Sequence, residues 1–459
     1  MSAPIEARGF PSDIDASIRY AVANASQVRF LPGIGWLVWD EKRWAEDREN
    51  QVIELAKTCA RLWTEKAARS TGKERDKRLR EALTLESASH VRAAVELSRS
   101  DPRLVSSVAA WDRDPWRLNV ENGTLDLQTG ELFPHHRDDM LTKLAPVRYD
   151  PEAKHPALDS FLAHLASHSS DIVGFLGRCA GVALTGDAST ETLFLVQGGG
   201  GGGKTTLLEG LAAMLGDYAV KMPFESFCLS KHGRSPGGAS PDLIRLRGSR
   251  LAYASEGDQS ARLDSGIVKT LSGNEPLTAR ALYQAPITFP QTWKLWLVSN
   301  FDPKTDAEDT GIWRRLLKLH FHEIPKAHRD PAIKAALVGD PNARSALLAW
   351  AVAGCLDWQQ RGGGRAGLAA PADVEAATEE YRRKQDTLAQ WWEDLLIEAT
   401  LIPAVFTTAA KLRGHYQDWC SENGAMAIGV RRFADYLEAR GLRPHRTNDA
   451  RGWLGILLG

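Results

Sequence analysis

The feature that most constrains this chain is a run of six glycines followed by Lys-Thr-Thr, which comes just after the apolar residues 193–196 and Gln197. Its spacing satisfies G-x-x-x-x-G-K-[ST], in which backbone N–H groups cradle phosphates and the lysine reaches them. Only residues without a Cβ atom let the backbone wrap a polyphosphate that closely. The predicted phosphate-binding residues are Gly198, Gly199, Gly200, Gly201, Gly202, Gly203, Lys204, Thr205 and Thr206.

The segments on either side of the glycine run support this interpretation. Residues 193–196 have the unbroken apolar pattern of a buried strand, and residues 205–215 predict a helix ended by Gly216. The positive end of the helix dipole would then face the phosphates. Lys204 would reach the β- and γ-phosphates of ATP, and the Thr205 hydroxyl would hold Mg²⁺. A glycine-rich linker is the alternative, but linkers are seldom flanked by such a strand and helix.

Composition is that of an ordinary globular protein. The 459 residues predict two to four domains, and 43% are hydrophobic and 25% charged. No apolar run reaches membrane-spanning length and residues 1–10 lack a secretory pattern, so we expect a cytoplasmic protein with no membrane partner. Five scattered cysteines predict neither a zinc site nor a disulfide framework. The net charge of −1 gives no overall signal for nucleic acid, although a local basic patch is enough for binding.

Residues 1–150 are predicted to form a mostly helical N-terminal domain with some β-structure. Residues 30–44 predict a hairpin, because apolar and aromatic residues flank a polar turn. The rings of Trp36, Trp39 and Trp44 favour a buried core. Stacking of these rings on nucleic-acid bases is the alternative.

Two further apolar segments end in polar residues that suit phosphate chemistry. Residues 250–255 predict a strand followed by Glu256. Beside a phosphate loop, a carboxylate in that place binds the hydrated Mg²⁺ or polarises an attacking water. Asp258 leaves the division between metal binding and base catalysis open, and an ordinary surface acid is the alternative. Residues 293–298 predict another strand, and Asn300 after it could orient the water.

Paired arginines precede the next predicted strand, at residues 317–321. Arg314 and Arg315 suit a finger that reaches a phosphate bound to a neighbouring subunit. Solvent-facing polar side chains are the alternative for each residue taken singly. The ordered series of glycine loop, acid, amide and arginines is harder to explain in that way.

The segment between Glu256 and Asn300 carries candidate contacts to DNA. Residues 263–271 predict a helix, and the residues that follow predict a hairpin. The exposed basic and aromatic candidates are Lys269, Arg280 and Tyr283. Contacts of this kind hold the phosphate backbone and therefore predict weak sequence preference.

The C-terminal part begins with a predicted helical connector at residues 331–385, in which the glycine-rich residues 361–365 resemble a linker. Residues 386–459 then predict helix, turn, helix and a strand-like tail, the order of a winged-helix domain. Arg431 and Arg432 on the second helix suit contact with DNA phosphates. Docking onto another protein is the alternative role for this domain.

The order of these motifs resembles the superfamily 3 helicases, in particular the poxvirus-type and phage/plasmid primase-helicase family. The matching elements, within residues 190–322, are QGGGGGGKTT, LAYASEGD, IVKTLSGNEPLTARALY, WKLWLVSN and WRRLLKLHF. GWLVWDEKRW and NGTLDLQTGEL are similar to the domain that precedes this motor, and RRFADYLEARG is similar to its winged-helix end. The departures are mild: Gly202 stands where asparagine is frequent, and Glu275 where aspartate is frequent.

The resemblance implies an α/β fold: a P-loop AAA+-type superfamily 3 ATPase core over residues 151–330, flanked by the N-terminal and winged-helix domains. It implies that Glu256 is the Walker B acid, that Asn300 is the sensor and that Arg314 or Arg315 is the arginine finger. Lys269, Gly273 and Arg280 fall in the motif that forms the pore hairpin of this family. A finger acting in trans implies a homo-oligomeric ring, usually a hexamer. The motors of this family move 3′ to 5′ along single-stranded DNA.

Two functions of different classes follow. The first is an ATP-dependent helicase that acts on single-stranded and forked DNA in the replication of a phage, plasmid or integrated element. Residues 1–190 show no carboxylate triad with polymerase spacing, so a primase would be a separate protein. The second is an ATP-switched, origin-binding initiator or scaffold without processive unwinding. A small-molecule P-loop kinase would share the glycine loop but has no use for the paired arginines.

Overall fold

The computed structural model describes residues 12–72, 75–167, 171–229, 240–255, 261–282, 286–425 and 427–458. Glu256 and Tyr283 lie outside the described residues. Within the described ranges, no helix combines the length and the apolar character needed to cross a bilayer. The five cysteines all lie in these ranges and are free thiols.

The N-terminal part consists of helices around a small antiparallel sheet. Its elements are α1 (Asp13–Asn24), β1 (Val28–Leu31), β2 (Gly35–Trp39), β3 (Trp44–Glu46), α2 (Gln51–Ala68), α3 (Arg75–Leu85) and α4 (Ala88–Ser98). The predicted hairpin is β1 paired with β2, and β3 adds a third strand to it. Trp39 and Trp44 are buried and pack with Trp111, so their predicted place in the core is confirmed.

A second small sheet joins this part to the centre of the molecule. It comprises β4 (Arg117–Val120), β5 (Gly123–Asp126) and β6 (Leu132–Phe133), and is followed by α5 (Pro156–Ala166) and α6 (Ile172–Val182). Leu118 and Leu125 lie in one apolar cluster with Phe161 and Phe175. The predicted boundary at residue 150 therefore cuts through a continuous core, because residues of β4, β5, α5 and α6 belong to the same cluster.

The centre of the molecule is a parallel sheet with helices and a hairpin around it, which confirms the α/β prediction. Its strands and hairpin are β7 (Leu193–Gln197), β8 (Ala219–Lys221), β9 (Leu251–Ser255), β10 (Leu277–Ala279), β11 (Ile287–Phe289), β12 (Lys294–Ser299) and β13 (Leu316–His320). The helices are α7 (Lys204–Leu215), α8 (Pro241–Ile244), α9 (Ser265–Leu271) and α10 (Thr310–Trp313). In the described part of the chain the parallel order is β13-β7-β12-β9-β8, while β10 and β11 form a separate antiparallel pair.

Both faces of the parallel sheet are buried. Along β7, Phe194 and Val196 point into the cluster that contains α6 and α7, whereas Leu193 and Leu195 point into a second cluster that contains α9 and the hairpin. Alternate residues of a strand face opposite sides of the sheet. Strands covered on both faces therefore read as continuous apolar runs, which is the pattern that predicted them.

The predicted connector is part of the layers that cover this sheet. It comprises α11 (Pro331–Gly339), α12 (Pro341–Gln360), α13 (Gly364–Gly367) and α14 (Ala372–Gln385). Helix α12 packs along α6, α11 packs on α7, and α14 packs on β13. The glycine-rich stretch is also fixed, because Arg365 donates hydrogen bonds to the carbonyls of Arg315 and Leu316 at 2.9 and 3.0 Å. Its interpretation as a free linker is therefore wrong.

The C-terminal part has a core of its own. Its elements are α15 (Thr387–Glu398), β14 (Phe406–Thr408), α16 (Ala409–Glu422), α17 (Val430–Ala439), β15 (Arg443–Arg446) and β16 (Arg451–Leu454). The strands pair antiparallel in the order β14-β16-β15. Trp391 packs against Tyr416 and Phe433 at the centre of this core, and the rings of Tyr416 and Phe433 are stacked.

The contact between α6 and α12 allows a test of the packing. A Cβ atom added at Gly354 would overlap the carbonyl group of Gly177, because the two helix backbones touch there. We expect Gly354→Ala to lower the free energy of unfolding by about 3 kcal/mol, at the upper end of overpacking costs. Gly414→Ala in α16, where a Cβ atom meets open space, should instead raise it by about 0.5–1 kcal/mol. Chemical denaturation of both variants measures the difference, and equal stabilities would contradict the packing.

Candidate functional site

The glycine loop connects the carboxyl end of β7 to the first turn of α7. Gly198, Gly201 and Gly203 have φ angles of 153°, 86° and 89°, which side-chain-bearing residues rarely adopt. A Cβ atom added at Gly198 would overlap the carbonyl oxygen of Phe321, and one at Gly202 would lie 2.7 Å from the carbonyl oxygen of His322. The loop therefore needs glycine both for its backbone angles and for its close approach to the chain after β13.

Lys204 lies inside this loop. Its ammonium group donates hydrogen bonds of 2.6 Å to the carbonyls of Gly198 and Gly199, and the residue is 5% exposed. Burial lowers the pKa of the Lys204 ammonium from its usual value. Thr205 follows at the exposed start of α7, with Thr206 beside it. Together these groups form a set of N–H, ammonium and hydroxyl donors that suits a polyphosphate and its metal ion.

The ends of the neighbouring strands lie beside the loop. Because β12 pairs with both β7 and β9, Asn300 at its end lies between the glycine loop and the end of β9. The Gln197 side chain donates a 3.3 Å hydrogen bond to the Asn300 carbonyl, and its oxygen lies 2.9 Å from His320 Nδ1. The exposed Asn300 side chain thus stands at the carboxyl edge of the sheet, where ligands of parallel sheets bind. Glu256 follows β9 directly but lies outside the described residues.

The surroundings of His320 favour its neutral form. Burial lowers the pKa of its imidazole, and the nearby His322 and Lys318 lower it further. A group whose pKa falls on folding is stabilised in its neutral form, so its contribution to stability is lost as the pH drops below the usual histidine pKa. At neutral pH, His320 therefore connects to Gln197 without adding charge to the site.

Arg329 is a residue of the site that the sequence did not reveal. Its guanidinium donates to the carbonyl of Gly200 at 3.3 Å and of Ile324 at 2.8 Å, and it pairs with Glu323 at 2.5 Å. A Cβ atom at Gly201 would overlap the same guanidinium. Arg329 lies in no recognisable motif, so only its position after β13, the strand beside β7, could have indicated it.

The two arginines predicted as a finger have different surroundings. Arg315 is 8% exposed, pairs with Glu191 at 2.9 Å and donates to the Gly311 carbonyl. Arg314 is 67% exposed along its side chain and lies 3.9 Å from Glu191. Both precede β13 and so lie at the amino edge of the sheet, opposite the glycine loop. Arg314 has the freedom to reach another molecule, whereas Arg315 is held within its own chain.

The residues of the central domain that were predicted to contact DNA do not share one surface environment. Arg280 is exposed at the end of β10, on the side of the hairpin that leads to Tyr283, which is outside the described residues. Lys269 in α9 instead forms a 2.9 Å ion pair with Asp309. Lys269 therefore ties α9 to the segment that carries Arg314.

The predicted DNA contacts of the C-terminal domain are separated in the same way. Arg432 donates to the carboxylates of Asp306 at 3.1 and 3.2 Å and of Glu308 at 2.7 Å, and these hydrogen bonds raise the pKa of its guanidinium. Arg431, its neighbour in α17, is exposed. Arg432 therefore joins α17 to the central domain, and of the two arginines only Arg431 is exposed to solvent.

Comparisons with known proteins place these features in context. Residues 18–165 match the family model described as D5 N terminal like. The chain is 28% identical over 318 residues to a protein of Acanthamoeba polyphaga mimivirus named as an inferred helicase, with 65% of this chain and 32% of that protein covered. It is 26% identical over 340 residues to a protein of African swine fever virus named as an inferred primase, with 69% and 34% covered. The chain thus matches about a third of the length of these relatives.

Among solved structures, the chain is similar to the apo structure of the NrS-1 C-terminal region. The TM-score is 0.52 at 12% identity, and the match covers 96% of this chain and 98% of that one. At this identity the likeness shows a shared fold alone. The family-model match and the viral relatives together indicate a relationship with D5-type proteins.

The junction made by Arg432 is testable without any activity. We expect Arg432→Gln to loosen the C-terminal domain, because Asp306 and Glu308 lose their charged partner. The free energy of opening this junction should fall by about 1–2 kcal/mol, since the paired groups are partly exposed. Hydrogen exchange measured by mass spectrometry should speed up over residues 302–309. Arg431→Gln removes the same charge one residue away and should leave that exchange unchanged; faster exchange in both variants, or in neither, would contradict the junction.

Proposed function

We propose that this chain is an ATP-dependent DNA helicase motor of the superfamily 3 type. It would move 3′ to 5′ along single-stranded DNA as a ring, usually a hexamer, during replication of a phage, plasmid or integrated element. The observation that carries this proposal is the parallel sheet, which brings Lys204 and Asn300 to one edge and exposes Arg314 at the other. The similarity to viral proteins named as inferred helicases supports it.

Hydrolysis would proceed by in-line attack of water on the γ-phosphate of ATP. The new bond joins the water oxygen to the γ-phosphorus as the bond to the bridging oxygen breaks. Asn300 would orient the water and Glu256 would accept its proton, while Lys204 neutralises charge on the phosphates. Mg²⁺, held by Thr205 and through water by Glu256, would supply further positive charge when bound.

The proposed oligomer follows from the position of Arg314. Each residue of a strand advances about 3.3 Å, so the length of β13 separates Arg314 from the glycine loop of its own chain by roughly 16 Å. Arg314 therefore cannot serve its own nucleotide. An exposed arginine in this place suits the nucleotide of a neighbouring copy, and a closed ring gives every copy such a neighbour.

The same geometry supports a link between hydrolysis and DNA movement. Lys269 lies in α9, just before the hairpin, and pairs with Asp309, which caps the short helix α10 that precedes Arg314. A shift of Arg314 on hydrolysis would therefore move α9 and the hairpin with it. Arg280 at the hairpin would hold the DNA phosphates, together with Tyr283.

One observation supports the initiator hypothesis. The order α15, β14, α16, α17, β15 and β16 suits a winged helix. Arg431 is exposed at the start of α17, and the paired strands β15 and β16 carry further exposed arginines. These are Arg443, Arg446 and Arg451. Basic side chains on a wing suit contact with duplex phosphates. Tight duplex binding without strand separation would favour this second function.

Activity assays separate these proposals. We expect ATP hydrolysis that single-stranded DNA stimulates, and unwinding of a fork with a 3′ tail but not of one with a 5′ tail. Lys204→Ala should abolish both activities, and Arg314→Ala should lower hydrolysis by at least about 10³-fold with stability unchanged. ATPase that ignores DNA and leaves the fork intact would overturn the motor proposal.

Mixing variants tests whether Arg314 acts in trans. Lys204→Ala subunits retain the finger, and Arg314→Ala subunits retain the glycine loop, so mixed rings should regain part of the hydrolysis that each variant lacks alone. Arg315→Ala is the matched comparison, and we expect it to lower the thermal midpoint because it removes a buried guanidinium that pairs with the partly exposed Glu191. Failure of the mixed rings to hydrolyse ATP would contradict action in trans.

Arg329 should contribute to nucleotide binding within its own chain. When phosphates enter the loop, its guanidinium is close enough to exchange the Gly200 carbonyl for a phosphate oxygen. We expect Arg329→Ala to raise the KM for ATP about tenfold and Arg329→Lys to raise it less, since a charged hydrogen bond contributes about 1.5–3 kcal/mol. Lys334→Ala in α11, which removes only a surface pair with Glu209, is the control. An unchanged KM in Arg329→Ala would exclude this role.

A further inference from the structure

A cleft of about 470 Å³ lies between the N-terminal part and the base of the β10–β11 hairpin. Gly33, in the turn between β1 and β2, approaches β11 so closely that an added Cβ atom would lie 3.4 Å from Ile287 Cγ2. Ala281, the neighbour of Arg280, also lines the cleft. The N-terminal part therefore shares a continuous surface with the hairpin that the proposed function brings to DNA.

Basic side chains predominate in this cleft, which we call the basic cleft. Its charged lining is Arg48, Lys143, Arg245 and Arg247 against Glu46 and Asp217. Arg48 and Arg247 approach the two oxygens of Glu46 at 3.3 Å each, and Asp217 is paired with Arg43 from outside the lining. The carboxylates are thus already engaged, and the lining keeps an excess of positive charge.

Two of the basic groups, Arg245 and Lys143, contribute most clearly to this excess of positive charge. Arg245 is exposed and has no ion-pair partner among the described residues. Burial and the nearby Arg247 lower the pKa of the Lys143 ammonium, and Asp112 and Glu46 offset this only in part. The positive groups of the cleft therefore repel one another, and an anion that enters would relieve that repulsion.

We propose that the basic cleft binds the phosphate backbone of single-stranded DNA and so makes the N-terminal part a second DNA contact beside the hairpin. The inference rests on the proposed function. Arginines lie on both sides of the cleft, so the backbone of a single strand that enters it can contact both sides. A duplex presents its phosphates only on its outer surface. The strand would pass from Arg280 at the hairpin along Ala281 to Arg245 and Arg48.

Binding to a labelled oligothymidylate at several salt concentrations tests this inference. The variant carries Arg48→Gln with Arg245→Gln, since both side chains are exposed and their loss leaves the Arg247–Glu46 pair intact. We expect the affinity to fall about tenfold at low salt. The slope of log affinity against log salt should fall by about 1.4, which is about 0.7 for each of two phosphates on a single strand.

The matched control carries Arg61→Gln with Arg92→Gln, which removes two exposed charges from the helical side of the N-terminal part. Its affinity and salt slope should equal those of the wild type. Equal losses in both variants would show a general effect of charge and overturn the proposal. If the wild type binds the oligonucleotide and the cleft variant binds it equally well, the proposal fails while the motor stands. No binding by the wild type would overturn both.

Photo-crosslinking of the unaltered full chain gives a second, independent measurement. An oligonucleotide that contains 4-thiothymidine should crosslink to peptides that cover residues 33–48 or 245–247, as well as to the hairpin. Excess unlabelled single strand should suppress these crosslinks, and an equal amount of duplex should not. Crosslinks confined to the hairpin and the C-terminal domain would overturn the proposal, and so would competition by an acidic peptide but not by DNA.

Discussion

The hydrogen bonding of β7 between β12 and β13 is the constraint on which the rest of the site depends. It aligns Gln197 with Ser299 on one side and with His320 on the other, so three strand ends meet at one edge. Because apolar clusters bury both faces of these strands, a slip of one residue would turn core side chains to the wrong face. The register thus fixes the positions of the glycine loop and Asn300, and the place where Arg329 contacts the loop.

The segment between β12 and β13 connects the other parts of the molecule. Arg432 of the C-terminal domain holds Asp306 and Glu308, and Lys269 beside the hairpin holds Asp309. The Asp306 carbonyl also accepts a 2.8 Å hydrogen bond from the Trp313 indole, directly before Arg314. A displacement of either domain therefore reaches the proposed finger through one short stretch of chain.

Much of the fold could be predicted because its signals are local. The buried strands, the helix after the glycine loop and the helices of the C-terminal domain follow from apolar periodicity and from glycine positions within short windows. The predicted boundary at residue 150 and the linker interpretation of residues 361–365 were less successful, since both depend on which surfaces meet in the folded chain. Leu118 and Phe175 belong to one apolar cluster, and α12 packs with α6, across long separations in sequence.

By itself, the sequence determined the glycine loop, because its backbone angles and its close contacts with the chain after β13 demand glycine at defined positions. It also determined which strands are buried and which polar residues end them. Only the tertiary structure decided the roles of charged side chains. Arg314 is exposed and Arg315 paired, Arg431 is exposed and Arg432 paired, although each pair is adjacent in sequence. An ion pair depends on a partner brought near by folding, and the local sequence does not encode that distance.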